Sequence, residues 1–163
     1  METDEQLVER TLGGEIDCYG VLVQRHADYL FALGMRLTAG NRAFAEDISQ
    51  QAFLRAYKYL KSFDIKKNFR RWLTGIAVNC YKDLSRKEDR YLTLEGIDEP
   101  SYTPDLEGDI GFFDLIKPLA EDERTMFTLR YVYDYQIKEI AEVVGLKPGT
   151  VKSTISRALE KLR

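Results

Sequence analysis

KKNFRRWLTGIAVNCYKDLSRK, from Lys66 to Lys87, is the stretch around which the chain is organised, because it carries an apolar helical face and a cationic one together. Phe69, Trp72, Leu73, Ile76, Ala77, Cys80 and Leu84 recur at the three- and four-residue spacing that collects side chains on one side of a helix. That side predicts core, with Trp72 among its members. Lys66, Lys67, Arg70, Arg71, Lys82, Arg86 and Lys87 lie before, around and after it, with Asp83 the one acid among them. Asn68, directly before the run, is a good N-cap, since its side-chain oxygen can accept from the first free amides. A face so cationic suits a polyanion, although charge clustering alone equally describes an ordinary solvated face.

Working outward, the sign of charge alternates along the chain. Residues 1–54 hold four basic and nine acidic side chains, 55–87 ten and two, 88–123 two and twelve, and 124–163 eight and four. Two cationic modules thus flank a segment of net charge −10, and the overall −3 conceals this distribution. At 163 residues with 44% hydrophobic and 31% charged side chains, the composition is that of a soluble globular protein of one medium domain or two small ones. Neither end carries a signal peptide or a run of membrane-spanning length, so the cytoplasm is the expected compartment. Cys18 and Cys80 stand far apart without metal-ligand or redox spacing, which predicts two buried thiols and no disulfide. His26 is the single histidine. With no metal cluster, phosphate-binding glycine loop or nucleophile motif in view, no enzymatic activity, catalytic residue, metal or cofactor is expected.

Before the basic stretch, apolar periodicity predicts three helices. Thr3 or Asp4 caps a short one over Glu5 to Leu12, stopped by Gly13-Gly14. Tyr19, Leu22, Val23, His26, Tyr29, Leu30, Leu33 and Leu37 mark a long second helix from about Asp17 to Leu37. Asn41 caps the third, which reaches about Leu60 and turns Phe44, Ile48, Ala52, Phe53, Leu54 and Tyr57 inward. Its other side shows Glu46, Asp47, Gln50 and Gln51, a surface suited either to water or to a basic protein partner. Four helices with short connections predict a bundle over residues 1–90. Periodicity then vanishes in an acidic linker, residues 91–110, and restarts in a second helical domain, residues 111–163.

That second domain ends in a more specific pattern. Ile140, Ala141 and Val144 form a short amphipathic helix, with Ala141 small enough for close approach of a second helix. Gly145 supplies a left-handed corner into which Leu146 inserts, and Pro148 opens the next helix. Val151 and Ile155 face inward, leaving Thr150, Lys152, Ser153, Thr154, Ser156 and Arg157 outside. This is a helix-turn-helix whose second helix can enter a DNA major groove.

The order of parts resembles the sigma-70 family of bacterial initiation factors, in its small two-domain extracytoplasmic-function (ECF) form. AEDISQQAFLRAYKYL followed by FRRWLTGIAVNCYKDLSRK is similar to region two, and EIAEVVGLKPGTVKSTISRALEKL to region four. The resemblance implies an all-α, two-domain, non-catalytic subunit that directs promoter-specific initiation. Glu46, Asp47, Gln50 and Gln51 would bind core RNA polymerase. Phe63, Arg70, Arg71, Asn79, Lys82 and Arg86 would hold the melted minus-ten element, Asn79 reading a flipped base. Thr150, Lys152, Ser153, Ser156 and Arg157 would read the duplex minus-thirty-five element. An anti-sigma factor is the further partner implied, and the protein is expected to be a monomer when free. Two departures stand out: Gln51 where the family usually has Glu, and Thr74-Gly75 where it usually has an aromatic and a basic residue. The alternative function is a stand-alone helix-turn-helix regulator that acts without polymerase.

Overall fold

A computed structural model describes residues 1–87 and 110–163. The acidic linker expected over 91–110 therefore lies outside the described residues, save for Ile110 at its edge. Among the described residues the structure is all helical. Helices α1 (Asp4–Leu12), α2 (Asp17–Leu37), α3 (Arg42–Lys58) and α4 (Phe69–Lys87) form the first group, with a single 3₁₀ turn, Leu60–Ser62, between α3 and α4. The second group is α5 (Ile110–Ile116), α6 (Glu121–Tyr131), α7 (Ile137–Val144) and α8 (Pro148–Lys161).

Capping chemistry fixes the helix starts. Thr3 Oγ1 accepts from the Gln6 amide at 3.1 Å while the Gln6 side chain accepts from the Thr3 amide, the reciprocal pattern that satisfies two orphan donors. Asn41 accepts from the Phe44 amide and Asn68 from the Arg71 amide, each through its side-chain oxygen. In α6 and α7 the third residue does this work: Glu123 accepts from the Ala120 amide and Glu139 from the Gln136 amide, both at 2.8 Å.

The expected stripes bury as one core. Leu22, Leu30, Leu33 and Leu37 of α2 meet Ile48 of α3 and Phe69 and Leu73 of α4, all fully buried. Each such side chain contributes roughly 1.5–3 kcal/mol by leaving water. Gly34 lets α2 and α3 come this close, since a Cβ there would lie 3.0 Å from the Ala45 Cα. Both thiols are buried and unpaired by disulfide, and burial pushes the Cys80 thiol up to about 11.

Five assignments of burial need correction. Leu54 and Tyr57 point outward, because the inner face of α3 is already filled by Phe44, Ile48, Ala52 and Ala56. Leu146 is exposed and does not insert into the corner, which Val144 and Val151 close from either side. Thr154, expected outside, is buried: its hydroxyl donates to the Thr150 carbonyl at 2.8 Å and accepts from Arg157, so the backbone turn supplies the partner that water would have given. Trp72 is only half-buried, with its ring against Phe63 and Phe69.

The two groups of helices do not stand apart. Met126, Leu129, Tyr135, Ile140, Ala141, Val144, Val151 and Ile155 join the same apolar cluster as the α1 to α4 core. Polar ties cross the seam as well. Arg36 donates to the Tyr133 hydroxyl at 2.8 Å, and Arg124 reaches the Leu37 carbonyl and the Tyr81 hydroxyl.

Candidate nucleic-acid interface

Helical spacing divides the basic residues of α4 between two sides. Arg71, Gly75, Asn79, Lys82 and Arg86 recur at three- or four-residue steps and form one stripe, while Arg70 is turned about 100° away. Arg70 lies over the Tyr29 ring, 4.4 Å from its centre, and donates from Nε to His26 Nδ1 at 3.2 Å. The other His26 nitrogen faces Asp4 Oδ2 at 3.0 Å. Burial, opposed by Asp4, lowers the His26 pKa below its ordinary value, so the ring is neutral at pH 7, with Nε2–H donating to Asp4 and Nδ1 accepting.

The stripe is covered along part of its length. Arg71 pairs with Glu139 of α7 and stacks over Tyr135 at 4.3 Å, and Lys82 Nζ donates to the Val144 carbonyl at 3.2 Å. Between α4 and α7 remains a cavity of about 630 Å³, lined from one side by Phe63, Asn68, Arg71, Trp72, Gly75 and Asn79 and from the other by Tyr135, Glu139, Glu142 and Val143. Phe63 is itself buried, edge-on to Phe69, so only part of its ring reaches this space. Arg86 is exposed in the last turn of α4. An amide, a guanidinium and two aromatic rings around one hollow can accept a planar polar group with adjoining negative charge.

Thr74 and Gly75 differ in role. The Thr74 hydroxyl is fully buried, 2.7 Å from the Tyr29 hydroxyl, and donates to the Arg70 carbonyl at 2.8 Å, so it pins α4 to α2. At Gly75 a Cβ would meet nothing within 4 Å.

At the corner of the helix-turn-helix Gly145 and Pro148 stand as expected, although Leu146 does not. Gly145 has φ 71°, the left-handed backbone in which a side chain is strained, and Pro148 occupies the first turn of α8. Val151 and Ile155 are buried, and Thr150, Lys152, Ser153, Ser156 and Arg157 are all exposed on one surface. Behind that surface sits Glu123, a buried carboxylate that sequence reading passed over. Lys161, 2.7 Å away, holds its pKa below the usual range against the opposing effect of burial, and Arg157 Nε lies 4.0 Å from it. Its signal was the spacing from Ala120 to an acid three residues on, at the start of a helix.

On α3, Glu46, Gln50 and Gln51 are exposed and Asp47 is half-buried; Glu46 pairs with Arg42 one turn back at 3.1 Å. Leu54 continues their face at the next helical step and is 64% exposed. The surface is thus mixed, amide and acid around an uncovered leucine. Among the described residues there is no group of three or more His, Cys, Asp or Glu that could hold a metal ion, and no helix is long and apolar enough to cross a membrane.

Comparison with known proteins places both groups of helices. Residues 22–91 match the family model for sigma-70 region 2, and residues 113–162 that for sigma-70, region 4. The ECF RNA polymerase sigma factor SigW of Bacillus subtilis is 32% identical, over 96% of this chain and 92% of that protein. Two solved structures share the fold. One is CnrH in complex with the cytosolic domain of CnrY, at a TM-score of 0.68 and 26% identity over 99% of this chain and 95% of that one. The other is the sigma factor RpoE with the anti-sigma factor NepR from Bartonella quintana, at a TM-score of 0.69 and 25% identity over 88% and 93%.

Proposed function

The chain belongs to the extracytoplasmic-function group of the sigma-70 family and is an RNA polymerase sigma factor, and from that premise we propose how its surfaces divide the work of initiation. Residues 1–90 bind core polymerase and the minus-ten element, residues 111–163 bind the minus-thirty-five element, and residues 91–110 join them. Glu46, Asp47, Gln50 and Gln51, with Leu54 added, dock on the polymerase. Arg71, Asn79, Lys82 and Arg86 hold the melted strand, where splayed bases stack on aromatic rings and phosphates pair with cations. Phe63 serves chiefly to set Trp72 at the rim of the cavity, since its own ring is mostly buried. Arg70, held by His26 and Tyr29, meets phosphate on the neighbouring side.

In the second unit Thr150, Lys152, Ser153, Ser156 and Arg157 face the major groove. Arg157 offers the one guanidinium of this set and so the bidentate fork that suits guanine. The factor is a non-catalytic subunit, working in the cytoplasm, monomeric when free, with an anti-sigma protein as its antagonist. RpoE and CnrH are each solved with such a protein or with the cytosolic domain of a partner, which supports that last assignment.

The observation that carries the reading is the pairing, in one chain, of a helix-turn-helix with an exposed acid-free face and a basic α4 stripe flanked by an aromatic cavity. No observation favours the stand-alone regulator, which needs no counterpart to the α3 and α4 surfaces. The test is co-elution of the purified chain with bacterial core RNA polymerase. The wild type is expected to co-elute and the Gln50→Lys/Gln51→Lys variant to be lost from the complex; a wild type that binds duplex DNA but never associates with polymerase overturns the proposal.

A further inference from the structure

Resting on the assignment of Arg157 to the minus-thirty-five element, we propose that Glu123 and Thr154 are positioning residues, which turn the Arg157 guanidinium so that it meets the groove end-on. Neither belongs to the exposed face of α8: Thr154 is 3% exposed and Glu123, on α6, is 5% exposed. Both nevertheless act on the same edge of the guanidinium. Arg157 Nη2 donates to Thr154 Oγ1 at 3.2 Å, and Arg157 Nε lies 4.0 Å from Glu123 Oε2. Nε and Nη2 form the side-on edge of the fork, and that edge is turned to protein. Nη1 and the second hydrogen of Nη2 remain, and this end-on pair of parallel donors is what guanine O6 and N7 accept.

Each anchor is itself fixed. Glu123 Oε1 accepts from the Ala120 amide at 2.8 Å and from Lys161 Nζ at 2.7 Å, so the carboxylate is held in the first turn of α6, where the helix dipole favours negative charge. The Thr154 hydroxyl gives its hydrogen to the Thr150 carbonyl at 2.8 Å, which leaves its lone pairs for Arg157. The Arg157 side chain is 66% exposed and would otherwise keep the rotamer freedom of a long, flexible residue. Most of its orientations cannot form two parallel bonds, and the cost of ordering it would then fall on DNA binding. A buried carboxylate beneath a DNA-facing surface would by itself repel phosphate; paired with Lys161 and set behind Arg157, it instead aims a cation.

The experiment uses the full chain with core RNA polymerase and a duplex library randomised across the upstream element, sequenced before and after binding. Arg157→Ala is expected to flatten a guanine preference at one position. Glu123→Gln keeps an oxygen for the Ala120 amide and removes the charge behind Arg157, while Thr154→Val keeps the buried shape and removes the acceptor. Each is expected to lower that same preference about two- to fivefold, the range a partly exposed polar contact allows, and to leave the other positions as in wild type. Thr154→Ser, which retains a hydroxyl, should retain the preference. Glu160→Gln, the same charge change on the exposed side of α8, should not alter it. Adding Glu123→Gln to Arg157→Ala should produce no further loss at that position. Equal loss at every position from Glu123→Gln and Thr154→Val would mean that they merely hold α8 in place, and an unchanged preference would mean that Arg157 aims itself; either overturns the positioning. A preference that survives Arg157→Ala removes the reading of Arg157 and the positioning with it. A profile flattened in Arg157→Ala but unaltered in Glu123→Gln and Thr154→Val removes the positioning alone.

Discussion

Helices α4 and α8 are both helices with cationic outer faces, yet their surroundings are opposite. On α4 the basic residues are woven into the fold: Arg70 on His26 and Tyr29, Arg71 on Glu139 and Tyr135, Lys82 on a carbonyl of α7. On α8 the face from Thr150 to Arg157 projects freely, apart from Thr154, and its one tie to the body of the protein runs through buried Glu123. On the proposed roles, the duplex-reading face is displayed ready-made, whereas the aromatic and cationic groups proposed for a melted strand pack partly against protein. Substitutions that break this contrast should therefore disturb folding on α4 and recognition on α8.

The largest effect is expected at Phe69, fully buried and in contact with the rings of Phe63, Trp72 and His26. Phe69→Ala should cost about 3–5 kcal/mol of stability, measured by urea unfolding followed by circular dichroism. A loss below about 1 kcal/mol would mean that α4 is not anchored as described. On α8 the counterpart is Arg157→Ala, expected to lose roughly 1–3 kcal/mol of discrimination at one base pair of the upstream element while leaving the melting temperature nearly unchanged. Competition binding across single base-pair variants of a cognate duplex checks it, and discrimination equal to wild type at every position would reject the assignment.

How much of this could be read from the sequence follows the range of the interactions involved. The caps at Thr3, Asn41 and Asn68, the Gly145 corner and the bounds of α2 were legible because each depends on residues within a turn or two. The buried sides of α3 and α8 were legible only in part. Leu54, Tyr57 and Leu146 are apolar at plausible positions but stay largely exposed, Tyr57 with only its contact to the Tyr19 ring, and Thr154 is polar yet satisfied by its own backbone. The site on α4 was legible as chemistry and illegible as geometry. Nothing local says that Arg71 meets a residue 68 positions on, or Arg36 one 97 positions on. The cap that Glu139 makes to the Gln136 amide is local in sequence, whereas its second role as partner of Arg71 comes only from tertiary packing.

A smaller effect, but one whose sign differs between the two regions, concerns glycine. Gly145 holds φ 71° and Gly75 sits in the interior of α4, and neither would give a Cβ anything to clash with. Gly145→Ala should destabilise by roughly 1–2 kcal/mol, because only the backbone conformation opposes it. Gly75→Ala should stabilise by up to about 1 kcal/mol through helix propensity. Paired thermal melts decide this, and two changes of the same sign would contradict the backbone assignments.

The gentlest probe is protonation of His26, which joins Asp4 of α1 and Arg70 of α4 to α2. Burial is the leading cause of its lowered pKa; Asp4 raises it, and Arg70 and Arg25 lower it further. Since the folded value lies below the ordinary 6.5, the unfolded chain binds more protons at intermediate pH, and stability there rises with pH. The contribution is complete above the ordinary value and is shed as pH falls through the folded one. Protonation also turns Nδ1 from acceptor to donor, so Arg70 Nε loses its partner and the guanidinium is repelled by the new charge. Wild type should therefore lose more stability between pH 7 and pH 5 than His26→Gln, whose amide cannot titrate. Melting temperatures measured at both pH values test this, and parallel losses in the two proteins would show that the acid sensitivity resides elsewhere. Because Glu139 and α7 lie on the other side of α4, the Arg71 contact should be indifferent to this titration, and the position of Trp72 emission should stay constant while Arg70 is released.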